Sequence, residues 1–376
     1  MFSVHQHWDP LKVCILGRAY PPEFYSWIKN PKTRSLFERM AIETEEDFQA
    51  IQRKLEEFGV EVLRPNLPKY QGVINGSYVR PPMTPRDYTV MIGSEFYESY
   101  SSDLSAWYNK LKDPSWPDCY TVEDLLALPN KAIDELKFRG MDKFLNHYNS
   151  VNCYNDIFER IKQEGNTINN KAHPLLSGAM VSRIGKDLYF GTFDTEDQSI
   201  KPHFEKMFPD HRIHVVDTQA HSDGSYCPVA PGLIISLEDV ANYKESFPNW
   251  EVVYLPDQSW EAVKPFLDLK ARNFGKWWIP GHEYDDDVLE TVETWLDDWV
   301  GYVEETVFDV NMLVIDPKNV LVFNYNKKVF DALERHGITP HIVTFRHRFF
   351  WDGGIHCITT DLHREGSMND YFPERS

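Results

Sequence analysis

One order of segments returns along this chain and restricts what it can fold into. A β-rich run meets a tight polar turn, a second β-rich run follows, then a helical stretch, then a third strand. "AMVSRIGKDLYFGT" (179–192) reads as a hairpin turning at Gly185-Lys186, "EDQSIKPHFEKMF" (196–208) carries helical spacing, and "HRIHVVD" (211–217) supplies the third strand. The order repeats in "VNMLVIDPKNVLVFN" (310–324), which turns at Asp316-Pro317-Lys318-Asn319, with the helix "KKVFDALERHG" closed by Gly337 and the strand "TPHIVTF". A third copy spans "SYCPVAPGLIIS", "LEDVANYKESF" and "WEVVYL". A partial fourth lies in "KVCILG", "TEEDFQAIQRKLEEFG" and "VEVLRP".

Repeated ββαβ units a few tens of residues apart predict radial repetition rather than a doubly wound sheet. Neither G-x-G-x-x-G nor a P-loop occurs. In a radial array, loops from different units converge at the centre, so a site there draws residues from distant parts of the chain. With 376 residues, 14% of them aromatic, the chain can bury one large core. We read residues 1–376 as a single α/β domain, with an elaboration at about 97–175 that fits the repeat least well.

A formal net charge of -19 argues against nucleic acid and anionic membrane surfaces as partners and favours small cationic ligands, although acidity also serves solubility. The five cysteines, Cys14, Cys119, Cys153, Cys227 and Cys357, form no Cys-x-x-Cys pair and are odd in number. That usage predicts a reducing compartment. The opening "MFSVHQHWDPLKVCILG" carries no signal or transit pattern, so a cytoplasmic location is expected.

The chemistry-bearing candidates lie apart in sequence. In "WDGGIHCITTDLHREG" (351–366), Cys357 follows Gly353-Gly354, where the backbone tolerates close approach. On these residues alone, a buried structural thiol and a nucleophile are equally supported. His356 is its neighbour, and adjacent strand residues face opposite ways, which makes it a poor base for that thiol. His221 and Asp223 in "TQAHSDGSYCPVAPG" are two apart, so an extended segment would turn both to one side. Asp87 in "PPMTPRDYTVMIG" stands at a strand mouth. Taken singly, a solvated loop histidine, an Asx-turn aspartate and a strand-capping aspartate are the favoured readings of the last three. The acidic "WWIPGHEYDDD" has no convincing metal-ligand spacing, and we expect neither metal nor cofactor.

Together these segments resemble the amidinotransferase family, the arginine:glycine and arginine:inosamine-phosphate amidinotransferases. "HWDPLKVCILGRA" looks like the family's opening strand, and "TEEDFQAIQRKLEEFGVEVLRP" like its first helix and following strand. "PRDYTVMIG", "RIGKDLYF", "HSDGSYCPVAPGLIIS" and "GGIHCITTDLHREG" resemble its Pro-Arg-Asp segment, Arg-x-Gly hairpin, His-x-Asp stretch and nucleophile segment, in the family's order. The resemblance implies a five-fold pseudosymmetric α/β propeller of ββαβ modules, pentein-like. It also implies Cys357 as nucleophile, His221 as proton carrier, and Asp87 and Asp223 as guanidinium anchors. The activity so implied is transfer of an amidino group from a guanidino donor, L-arginine first, to an amine acceptor through a covalent amidino-cysteine. A homodimer is also suggested by the resemblance. Acids flanking Cys357 should hold back its ionisation until a guanidinium binds.

Two positions depart from the family pattern. Family members carry an aspartate three residues before the hairpin arginine, where it orients the catalytic histidine; here the arginine is Arg183 and the matching residue is Met180. Glycine-using members place an arginine after the His-x-Asp stretch, whereas here none occurs between Asp223 and Arg272, and Val240 aligns. Two alternatives therefore stand beside transfer: a guanidino-compound hydrolase using the same intermediate, and a non-catalytic member that binds guanidino ligands. Glu304 and Glu305 in "WVGYVEETVFDVN" suggest an amine-bearing or cationic acceptor.

Overall fold

The computed structural model describes residues 1–68, 80–98, 153–169, 176–192, 200–218, 221–237, 242–255, 284–295, 307–351 and 353–375, with positions 71, 73–74, 77–78, 240 and 282 between them. Its strands in chain order are β1 (Leu11–Leu16), β2 (Glu61–Leu63), β3 (Val73–Ile74), β4 (Ser77–Tyr78), β5 (Thr89–Ile92), β6 (Glu95–Glu98), β7 (Thr167–Asn169), β8 (Val181–Ile184) and β9 (Asp187–Thr192), then β10 (Arg212–Asp217), β11 (Tyr226–Ala230), β12 (Leu233–Ser236), β13 (Glu251–Tyr254), β14 (Leu313–Asp316), β15 (Asn319–Val322), β16 (Thr339–Ile342) and β17 (Thr359–Arg364). Among the described residues they make five three-stranded sheets and one two-stranded sheet, β3–β4.

Each three-stranded sheet follows one rule. The middle strand runs antiparallel to its hairpin partner and parallel to the strand that returns after a helix. Three sheets, β8–β9–β10, β11–β12–β13 and β14–β15–β16, are the repeats expected from sequence. A fourth joins β5, β6 and β7, and its helix (Asn155–Gln163) and β7 lie inside the stretch read as an elaboration. The rest of that stretch, 99–152 and 170–175, lies outside the described residues. The fifth sheet closes the ring: β17, from the chain's end, pairs antiparallel with β1, which pairs parallel with β2. The array is the five-module pseudosymmetric α/β fold.

The turn chemistry accounts for the hairpins. Gly185 sits at φ +62°, and a Cβ there would come within 2.0 Å of the Asn369 carbonyl oxygen. Asp316 accepts from the Lys318 amide at 2.7 Å and from the Asn319 side chain, fixing the β14–β15 turn. Two helices differ from the sequence reading. The first begins at Pro31 rather than near Thr44, because Asn30 caps it, accepting from the Lys32 and Thr33 amides, and because Leu36, Phe37, Met40 and Ala41 extend the buried stripe. Of the stretch 237–247 expected to be helical, the structure describes a helix at Tyr243–Ser246, entered through Asn242 in the left-handed region, while 238, 239 and 241 lie outside the described residues.

Apolar faces of the sheets pack against these helices in clusters, one beneath Pro31–Glu57 that includes Phe48, Leu313 and Trp351, another around Ile234, Val320 and Leu333. The inner ends of β5, β8 and β17 meet around buried charge instead. Asp361 accepts two bonds from Arg183, at 2.8 and 2.9 Å, one from Arg86 at 3.1 Å and one from Arg364 at 2.6 Å. All four side chains are at most 1% exposed. Burial pushes the Asp361 carboxyl up, but the three guanidiniums overcome it and hold the group well below the usual carboxylate range.

Candidate active site

Cys357 lies in the turn before β17, not on the strand itself. The turn is held from below by Arg86, whose Nε donates to the carbonyls of His356 and Thr359 at 2.7 and 2.8 Å. Asn311, buried just before β14, holds it from the side: its Oδ1 accepts from the His356 amide at 2.8 Å and the Cys357 amide at 3.2 Å. The Asn311 Nδ2 donates to Cys357 Sγ at 3.0 Å and to the Asp223 carbonyl at 3.1 Å. The two glycines are explained by packing. A Cβ on Gly354 would fall 2.1 Å from Asn311 Oδ1, and one on Gly353 would fall 2.8 Å from Ile358 Cγ2.

Asp223 approaches the sulfur from another module. Its Oδ2 accepts from His356 Nδ1 at 2.9 Å and from the Cys357 thiol at 3.5 Å. Its Oδ1 is buried and has no hydrogen-bond partner among the described residues. Burial raises the Asp223 carboxyl, and the hydrogen bond and charge of His356, with His221 and Arg86, more than reverse this, so the group lies below its ordinary value. His356 is pushed down to about 4, by burial first and by Arg86 next. The pair is therefore a neutral imidazole donating to a carboxylate at neutral pH.

His221 and Asp223 do not share an extended segment. The backbone is extended only at His221, and Ser222–Ser225 coil into one short turn of helix. Ser222 Oγ donates to the Met180 carbonyl at 3.0 Å, an approach that Gly191 admits, since a Cβ there would lie 2.2 Å from that oxygen. The coil separates the two side chains: Asp223 turns inward to Cys357, whereas His221, 46% exposed at its side chain, places Nδ1 3.7 Å from Asp87 Oδ1. Asp87 ends the turn Pro85–Asp87 ahead of β5. Burial raises its carboxyl above the ordinary value, against the pull of His221. Met180 is buried, 3% exposed, and its carbonyl accepts from the Gly191 amide as well as from Ser222.

The structure thus gathers Cys357, Asp223, Asp87 and His221 from three modules, and adds Asn311, which the sequence reading passed over. His356, set aside above as a base for the thiol, instead engages Asp223 through its Nδ1. Asn311 carried no signal beyond a polar residue at the mouth of an apolar strand. Of the other described cysteines, Cys14 and Cys153 are buried and Cys227 is partly exposed like Cys357; burial pushes the Cys14 and Cys227 thiols up to about 12. A cavity of about 20 Å³, room for one water, lies behind Asp223 and His356 and is also bounded by His7, Ser182 and Arg364. No cluster of metal-ligating side chains occurs among the described residues.

The site is a partly exposed thiol beside carboxylates and imidazoles, set in a five-module pseudosymmetric α/β fold. Comparison with known proteins is consistent across the chain. An L-arginine:L-lysine amidinotransferase of Pseudomonas savastanoi pv. phaseolicola is 24% identical over 213 residues, 55% of this chain and 49% of the relative. Inosamine-phosphate amidinotransferase 1 of Streptomyces glaucescens is 21% identical over 406 aligned residues, 99% of each chain. The solved structure of SxtG, an amidinotransferase from Microseira wollei in the saxitoxin biosynthetic pathway, superposes with a TM-score of 0.60 at 17% identity, covering 99% of both chains. No family model matches the chain. The chain matches the first curated relatives over about half of their length, 44% and 49%. The chain is thus similar in sequence and in fold to amidinotransferases.

Proposed function

We propose that this protein moves an amidino group from a guanidino donor, L-arginine first among candidates, to an amine acceptor by way of Cys357. The observation that carries the reading is the pairing of Cys357 Sγ, 3.5 Å from Asp223 Oδ2, with an Asp223 Oδ1 that is buried and has no hydrogen-bond partner among the described residues. A buried carboxylate oxygen without a donor costs free energy that a planar guanidinium N–H edge recovers. Asp87 supplies a second acid for that cation.

In the donor half-reaction Cys357 gives its proton to His221, and Sγ adds to the guanidinium carbon. His221 then returns the proton to the departing amine nitrogen, the C–N bond breaks, and an amidino thioether remains on Cys357. In the second half the acceptor amine gives its proton to His221 and attacks the same carbon. The C–S bond breaks, and the sulfur recovers the proton. Asp87, 3.7 Å from His221, is the carboxylate at hand to steady the imidazole where Met180 cannot.

The test is intact-protein mass spectrometry after exposure to arginine without an acceptor. An adduct of one amidino group that is absent from Cys357→Ser and is discharged by an added amine supports transfer. An adduct discharged to urea regardless of amine supports hydrolysis instead. Tight arginine binding with no adduct defeats both and leaves a binding protein.

A further inference from the structure

We propose that Asn311 is the hydrogen-bond donor that holds the ionised sulfur of Cys357. The inference rests on Cys357 being the nucleophile and adds a residue whose role the family resemblance does not supply. Asparagine can be turned either way about its last torsion, and here its surroundings decide. One end meets two backbone N–H groups, those of His356 at 2.8 Å and Cys357 at 3.2 Å, which require an oxygen. The other end meets the Asp223 carbonyl at 3.1 Å, which requires an N–H. The amide nitrogen therefore faces Sγ at 3.0 Å with its second N–H available to that contact.

Two neighbours of the sulfur favour opposite protonation states. Asp223 Oδ2 accepts from the thiol and so favours S–H. Asn311 Nδ2 can only donate and so favours S⁻. When a guanidinium takes up the Asp223 carboxylate, the acid's hold on the thiol proton weakens, and the Asn311 donor remains in place as the charge moves onto sulfur. Its position is prepaid by the fold: Asn311 is 1% exposed, and Gly354 leaves out the Cβ that would displace its oxygen. The Gly-Gly step thus serves a side chain 43 positions earlier rather than the thiol's own mobility.

The experiment reads the thiol and not the transfer reaction. Cys357 alkylation by iodoacetamide, located by peptide mass spectrometry, is followed against pH in wild type, Asn311→Ser and Asn311→Asp. Asn311→Asp keeps the acceptor for the two amides and replaces the donor with an oxygen. We expect the alkylation midpoint to move up by about one pH unit in the serine variant and further in the aspartate variant, with a roughly tenfold slower reaction at pH 7. Unchanged alkylation profiles in folded variants overturn the proposal. Should neither variant fold, wild type selectively labelled with 15N-asparagine decides. One side-chain amide must shift with the alkylation midpoint and stop doing so in Cys357→Ser, and its absence overturns the proposal. The expected shift of the alkylation midpoint in the variants, with no amidino adduct on wild type, would instead count against the proposed activity while upholding the Asn311 contact with the sulfur.

Discussion

His356 Nδ1 lies 2.9 Å from Asp223 Oδ2, and both side chains are almost wholly enclosed. The bond leaves one carboxylate oxygen engaged and the other available, which gives Asp223 a direction as well as a charge. It also carries a pH signature. Burial and Arg86 lower His356 from 6.5 to about 4, so between those values the unfolded chain binds a proton that the folded protein excludes. The folded pKa lies below the unfolded one, so stability falls as pH drops through this window. The loss is about 1.4 kcal/mol per pH unit, ~3 kcal/mol across it. Denaturant melts at several pH values should show this slope, and His356→Gln should flatten it.

Asp223 and Asp87, the acids proposed to anchor the guanidinium, titrate apart. Asp223 is held below its ordinary value, whereas burial raises Asp87 above its own. On acidification Asp87 therefore takes its proton first, at a pH above its ordinary value, while Asp223 stays charged. The affinity for a guanidino donor should weaken along an acidic limb that belongs to Asp87. In Asp87→Asn the limb should vanish, and kcat/KM at neutral pH should fall by about 10²-fold or more, since both a cation anchor and the partner of His221 are removed. Isothermal titration with arginine, alongside steady-state kinetics against pH, checks both outcomes.

How far the sequence reading reached follows from the range of each interaction. Hairpins at Gly185 and Asp316-Asn319 were legible because turn chemistry is local, and both are present. Cys357, His221, Asp87 and Asp223 were singled out by residue type and by resemblance. Their mutual directions were not legible: the Ser222–Ser225 coil sends His221 and Asp223 different ways, and it depends on Gly191 admitting Ser222 from another strand. The meeting of Arg86, Arg183 and Arg364 on Asp361 left no trace in spacing, since it joins positions up to 275 apart. Asn311 touches a turn 45 and 46 positions away.

Met180 stands where the family pattern places an acid, yet its side chain is buried, and its carbonyl, not its side chain, is what Ser222 uses. With Asp87 facing His221, the position is a packing site. Met180→Leu should leave kcat within about threefold and cost little stability, as volume-conserving exchanges do. Met180→Asp should lower stability by a few kcal/mol by burying a carboxyl, without raising kcat. Thermal melts and donor half-reaction rates on both variants would show it; a faster Met180→Asp would mean that Asp87 does not do the orienting.

Asp361 is the sole carboxylate among the four charges it gathers, so its removal leaves three enclosed guanidiniums without their shared counter-charge. Breaking such a pair costs about 3–5 kcal/mol. Asp361→Asn, nearly identical in shape, should lose at least that much in urea unfolding and should separate β17 from β8 before other modules open. Hydrogen exchange at the amides of Val181–Ile184 and Thr359–Arg364 would report the order.

The acceptor can be approached from Val240. Glycine-using members of the family place an arginine after the His-x-Asp stretch, where it meets a carboxylate; here Val240 packs against the apolar cluster of β11–β13 and offers no charge. Glycine should therefore discharge the amidino-cysteine slowly, and amines that carry no need for that arginine should do better. Glu304 and Glu305 lie outside the described residues, so their part is a matter for experiment. With arginine as donor, we expect a diamine or lysine-like acceptor to exceed glycine by at least tenfold in kcat/KM, a difference of about 1.4 kcal/mol in transition-state stabilisation. Replacing both glutamates by glutamine should erase the margin. Efficient and exclusive use of glycine would show that the carboxylate is held by another group and that Val240 has no bearing on acceptor choice.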